Sequence, residues 1–134
     1  MNEHRKAIAA TCLAAAEGNT MAFPAIVGML MQAGFESYAI DFRRASATYY
    51  LPDGDSIALA AHRVEAPIAP AFDVAGMRAA IREAQQQSPG YTYRGFCEKA
   101  ALAGCAGYIV SFSGRRALYV GRTAETHVEP FPDR

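Results

Sequence analysis

The chain has 134 residues, 51% of them hydrophobic and 19% charged, with 13 basic residues set against 13 acidic ones. That balance excludes a disordered chain, which would be poor in apolar residues and carry a high net charge. It also excludes the strongly basic surface that drives non-specific nucleic-acid binding, and the length suffices to bury a core without a disulfide or metal staple.

The first segment is basic from Met1 to Lys6 and apolar from Ala7 to Ala16, the outline of a signal peptide. Its large aliphatics are limited to Ile8 and Leu13, so it reads better as an alanine-rich helix over Asn2–Glu17, stopped by Gly18-Asn19. A second helix is expected from about Thr20–Pro24 to Ala33. Phe23, Ile26, Val27, Leu30 and Met31 fall at i, i+3, i+4, i+7 and i+8 on one face. Pro24 suits a first turn, and Gly34 suits the left-handed residue that ends a helix.

Three strands follow. Phe35–Arg43 alternates, with Tyr38, Ile40 and Phe42 on one side; Ala47–Leu51 carries the aromatic pair Tyr49-Tyr50; and Ser56–His62 comes after the turn dipeptide Asp53-Gly54. Residues 65–70 hold Pro67 and Pro70 and read as a stiff connector. The order then returns. A helix over Asp73–Gln87 has Asp73 as its N-cap, another spans Thr92–Ala103, and strands are expected at Ala106–Ser113, Arg116–Gly121 and Thr126–Phe131.

A shift of 70 residues aligns the halves without a gap. Gly34 meets Gly104, Tyr38 meets Tyr108, Phe42 meets Phe112 and Tyr49 meets Tyr119. The expected fold class is therefore α+β: an internally duplicated α-α-β-β-β unit whose antiparallel three-strand meanders are covered by helices about a pseudo-two-fold. The chain reads as one domain, with pseudo-repeats 1–64 and 71–134. Whether six strands form one sheet or two is open at this point.

Stretches in both halves carry a family resemblance. Gly90-Tyr-Thr-Tyr-Arg-Gly-Phe-Cys-Glu-Lys and Ala103-Gly-Cys-Ala-Gly-Tyr-Ile-Val-Ser-Phe-Ser-Gly-Arg-Arg lead on to Gly121-Arg-Thr-Ala-Glu-Thr-His-Val-Glu. Together with Phe23-Pro24, Ala33-Gly34, Tyr38 and Tyr49-Tyr50, they resemble a bacterial domain-of-unknown-function family, the YdfO/YbcV-like group, often met in prophages and sometimes labelled phage envelope protein. The resemblance implies an α+β domain of bacterial or prophage origin, with no catalytic residues to carry over. Relatives often have an acidic residue three positions after the strand tyrosine in each half. Asp41 keeps it here, whereas Ser111 replaces it.

The densest polar cluster is Arg115, Arg116, Tyr119, Arg122, Glu125 and His127. Guanidinium groups hold carboxylates or phosphates in a fork, and a histidine can change charge near neutral pH. These six are the candidate ligand-binding residues, with Arg122 expected to pair with Glu125 and His127 expected on the same strand face as Glu125. Arg43-Arg44 and Arg115-Arg116 near the turns suggest two basic tips, which zero net charge argues against as a nucleic-acid surface. Cys12, Cys97 and Cys105 show no metal or disulfide spacing and are expected to be reduced, with Cys97 buried on a helix stripe rather than activated by His127. Tyr91 and Tyr93 are expected to pack rather than to form a ligand box.

No nucleophile–base set, metal-ligand spacing or phosphate loop is visible in the sequence. This favours a cytoplasmic binding domain over an enzyme, without cofactor or catalytic residues. The expected partner is a protein or a small anionic ligand, with nucleic acid and membrane not expected and a homodimer left open. The alternative is a small enzyme or anionic-ligand-binding domain built on Arg122, Glu125 and His127.

Overall fold

The structure is a computed structural model that describes residues 1–132. Its elements follow the order helix-helix-strand-strand-strand, twice. They are α1 (Glu3–Glu17), α2 (Phe23–Gln32), β1 (Ser37–Asp41), β2 (Ser46–Tyr50), β3 (Ser56–Ala60), α3 (Val74–Gln86), α4 (Tyr93–Leu102), β4 (Cys105–Ser111), β5 (Arg116–Gly121) and β6 (Thr126–Pro130). The fold class is α+β, as expected.

Local chemistry sets the helix boundaries. Asn2, Asp73 and Thr92 each accept a hydrogen bond from the backbone N–H three residues on, that of Arg5, Gly76 and Gly95, so they cap α1, α3 and α4 from outside the helices. The α2 helix has no such cap and starts instead with proline in its first turn. The alanine-rich N-terminal stretch is helical, and Ala9, Cys12, Leu13 and Ala15 are buried in the core.

All six strands form one antiparallel sheet in the order β3-β2-β1-β4-β5-β6. The two meanders join through β1 and β4, an association that the strand patterns alone could not decide. Tyr38 pairs with Val110 and Ile40 with Tyr108 across that seam. Shifting the first pair by 70 residues yields the second, so the seam register is its own image. The Tyr38–Tyr49 pair likewise becomes Tyr108–Tyr119, and Tyr49–Ile57 becomes Tyr119–His127.

Strand alternation separates two faces. The covered face carries Tyr38, Ile40, Ala47, Tyr49, Tyr108, Val110, Ala117 and Tyr119, all buried. On the opposite face a cross-strand row runs Ala58, Thr48, Ala39, Ile109, Leu118, Val128, in which Ile109 and Val128 are exposed. The helices lie on the covered face as two pairs, α1 on α2 and α3 on α4. A single hydrophobic cluster draws on both halves, including Leu30, Met77, Phe96 and Val110.

The three cysteines are free and buried, and Cys97 has no exposed surface. Burial pushes its thiol from an ordinary 9.0 up to about 12, so the reactive thiolate is scarce at neutral pH. A thiol reagent added to the native protein is therefore expected to give no fast equivalent, and all three cysteines should react once denaturant is present. A rapid native equivalent mapped to Cys97 would contradict this burial. Cys97→Ser should lower stability by about 1–3 kcal/mol, because the hydroxyl replaces apolar packing.

Candidate functional site

The helix pairs and the sheet enclose a cavity of about 410 Å³. Its floor is the covered face of the sheet, through Tyr38, Ile40, Tyr49, Tyr108, Ala117 and Tyr119. The α4 helix adds Tyr93 and Phe96, and Tyr91 precedes it. Lining residues near the surface come from three places: Asn19–Pro24 around the start of α2, Gln85 and Gln87 at the end of α3, and Pro130 at the end of β6 with Pro132 beyond it. These segments form the mouth, where Phe23 meets Phe131 edge to face with ring centroids 5.5 Å apart.

The chain has seven tyrosines and no tryptophan, and Tyr38, Tyr49, Tyr91, Tyr93, Tyr108 and Tyr119 all line this one space. They pack as aromatic pairs: Tyr38 with Tyr49 at 5.5 Å, Tyr108 with Tyr119 at 5.2 Å, and Tyr38 with Tyr108 across the seam at 6.4 Å. The hydroxyls of Tyr93 and Tyr108 bond each other at 2.7 Å. Burial raises the Tyr91 phenol to about 12 and holds Tyr38, Tyr93 and Tyr108 well above their ordinary value. The phenols therefore stay neutral across the physiological range and offer hydrogen-bonding tips on an aromatic wall.

One end of the cavity is polar. The β6 strand turns His127 and Glu129 to the covered face, where His127 stacks on Tyr119 with ring centroids 6.5 Å apart. His127 Nε2 lies 3.1 Å from Glu129 Oε1, and Gln85 donates its Nε2–H to Glu129 Oε2 at 3.2 Å. Glu129 lines the cavity and, among the described residues, is the one charged side chain that does. Behind the Tyr93 wall, Glu17 Oε2 accepts from the His62 backbone N–H at 2.6 Å and lies 3.0 Å from His62 Nδ1. That contact ties the end of α1 to the chain after β3, and the imidazole meets the Tyr93 ring edge to face.

A family described as a protein of unknown function (DUF1398) matches residues 12–128. The chain belongs to the DUF1398 family. No curated protein matches it. The matched span of this DUF1398 chain begins within α1, takes in α2 to α4, β1 to β5 and the first part of β6, and ends just before Glu129, so it covers most of the cavity wall.

The candidate residues read from the sequence are scattered across the DUF1398 fold. Tyr119 lines the cavity, and His127 stands behind it. Arg115 sits over the Phe131 ring, 5.6 Å from its centroid, at the outer edge of the mouth. Arg116 is exposed and donates to the Gly114 carbonyl, and Arg122 donates to the Ile68 carbonyl. The expected Arg122–Glu125 ion pair does not form. Glu125 belongs to the turn before β6, where its carboxylate accepts from Thr123 Oγ1 at 2.7 Å. Glu125 and His127 therefore do not share a strand face, and the partner of His127 is Glu129. Tyr91 and Tyr93 do pack, as expected, but what they pack around is a cavity.

Sequence reading missed Glu129, though a signal for it was present. At the shift of 70 residues, Ile57 and Leu59 of β3 become His127 and Glu129 of β6. One edge strand supplies two aliphatic side chains to the covered face, and its counterpart supplies an imidazole and a carboxylate.

Proposed function

We propose that this protein is a binding domain for a small, largely apolar aromatic molecule, held in the cavity between the helix pairs and the sheet. The observation that carries the reading is the convergence of six tyrosines from both halves on one space of about 410 Å³. Ligand pockets span roughly 300–1,000 Å³ and are mostly apolar, with a few placed polar groups. Burial raises the Cys97 thiol to about 12 and stabilises neutral phenols, which suits binding better than nucleophilic catalysis.

The shared ladder registers support a duplicated unit, with the cavity at the junction of its copies. Membership of the YdfO/YbcV-like group, a bacterial or prophage source and a cytoplasmic setting belong to the same reading. No described helix is long and apolar enough to cross a membrane. A site for an anion at Arg115, Arg116, Arg122 and His127 has less support, because two of the guanidinium groups are directed to backbone carbonyls and Arg115 lies on Phe131.

A thermal-shift screen of small aromatics, followed by calorimetry, tests this reading. A ligand at a hundred times its Kd should add about 2.7 kcal/mol of stability. Ala84 borders the cavity from α3, and Ala84→Phe is expected to abolish that gain by filling the space. Stabilisation that survives Ala84→Phe would place the ligand elsewhere. A screen in which no aromatic perturbs the tyrosine resonances would reject the cavity as a binding site.

A further inference from the structure

We infer that the cavity selects organic cations, an apolar or aromatic body carrying an ammonium group, with Glu129 as the counter-ion; this rests on the cavity being a small-molecule site. Three observations carry it. The first is the wall. Six tyrosine rings with Phe96, Phe23 and Phe131 line it, and an aromatic ring attracts a cation through its quadrupole and has no such attraction for an anion. The second is the sign of the charge. Glu129 is the one charged residue among the described lining residues, and the Arg115 guanidinium at the rim sits over the Phe131 ring.

The third is the placement of that carboxylate. Glu129 stands on the covered face of the sheet at the position where the other half has Leu59, so the strand pattern does not ask for a charge there. Its two oxygens each meet one neighbour, His127 Nε2 at 3.1 Å and Gln85 Nε2 at 3.2 Å. A carboxylate offers about four lone-pair sites, so acceptor capacity remains. The His127 contact orients the carboxylate. Gln85 does the same from α3. The carboxylate is thus held at the end of an aromatic box, the arrangement by which quaternary ammonium groups are recognised.

The test uses three probes of one shape on the full chain, with binding read by NMR shifts of the tyrosine ring protons. They are benzyltrimethylammonium, its neutral carbon isostere neopentylbenzene, and the anion benzylsulfonate. The cation is expected to bind about tenfold more tightly than the neutral isostere, and the sulfonate not at all. Glu129→Gln should erase the cation's advantage and leave neopentylbenzene unchanged. Circular dichroism confirms the fold of that variant, and the comparison of cation with isostere in the unaltered protein stands without it. Equal affinity for cation and isostere, preferential binding of the sulfonate, or a preference that persists in Glu129→Gln would each overturn the inference while leaving an apolar-ligand site intact. Failure of all three probes to shift any cavity tyrosine would count against the binding reading itself.

Discussion

Raising the pH from about 9 to about 12 is expected to unfold the protein in one cooperative transition that coincides with ionisation of its buried tyrosines. The cause is the number of weak acids buried together. The Cys97 thiol is pushed from 9.0 to about 12 and that of Cys105 to about 11, both by burial. The Tyr91 phenol rises from 10.0 to about 12, and Tyr38, Tyr93 and Tyr108 are held well above 10.0, again chiefly by burial. In the unfolded chain these groups ionise at their ordinary values. Between the ordinary and the raised value the unfolded state binds fewer protons, so stability falls as pH rises. The contribution is complete below about pH 9 and is lost through the raised values. Cys97 alone would withdraw roughly 4 kcal/mol by the top of the window, against a usual total of about 5–15 kcal/mol. Phenolate absorbance and far-ultraviolet ellipticity should change together. Smooth titration of the phenols near 10.0 with native ellipticity retained would show that the tyrosines are not sealed in the core.

Much of the fold is legible in the sequence because its signals are local. The i, i+3, i+4 spacing of Phe23, Ile26, Val27 and Leu30 marks α2. Asp73 and Thr92 mark the starts of α3 and α4, and Arg116–Gly121 is a strand with the bounds the pattern gives. Strand ends differ elsewhere by up to two residues, as at β1, where Phe35 lies before the ladder and Phe42 and Arg43 after it. These residues keep extended or turn geometry without a full set of ladder partners. The seam between β1 and β4 is a different kind of fact. It pairs residues some seventy positions apart, and alternation alone is satisfied equally by one sheet or two.

The candidate site was less legible, for related reasons. Tyr119 could be placed on the covered face by alternation, and it is there. A cavity, however, arises where packing fails to close. Whether two helix pairs meet over Tyr38 and Tyr108 or leave space between them depends on summed side-chain volume, which no short motif encodes. The charged residues misled for another reason. Clustering along the chain drew attention to Arg122 and Glu125, but in a turn such side chains find the nearest backbone or hydroxyl group, here the Ile68 carbonyl and Thr123. Glu129 was the more informative carboxylate because it interrupts an apolar alternation that its counterpart strand keeps.

Gly104→Ala should cost about 3 kcal/mol or more, while Gly34→Ala costs about 1–2 kcal/mol. These two glycines occupy equivalent places at the shift of 70 residues, each just after the second helix of its half, and both have positive φ, 89° for Gly104 and 99° for Gly34. An alanine in that left-handed region carries about 1 kcal/mol of backbone strain at either site. The surroundings separate them. A Cβ on Gly34 would meet the Arg5 guanidinium, at 3.1 Å from Nη2, and that long side chain can move, losing at most its Nε–H bond to the Ala33 carbonyl. A Cβ on Gly104 would run into the Ala71 carbonyl and come within 3.1 Å of the Phe72 Cα. Those are backbone atoms of the segment leading into α3. The Asp73 N–H bond to the Ala103 carbonyl at 2.7 Å and the Arg122 N–H bond to the Gly104 carbonyl at 2.8 Å hold the region from both sides. Relief of the clash must displace that segment and with it the N-cap of α3 and the helix pair that walls the cavity. Denaturant midpoints for the two variants, compared at equal slope, measure the difference. Equal losses at the two sites would mean that the segment over Gly104 yields as readily as a surface arginine, and that the second half is not locked there by backbone contact.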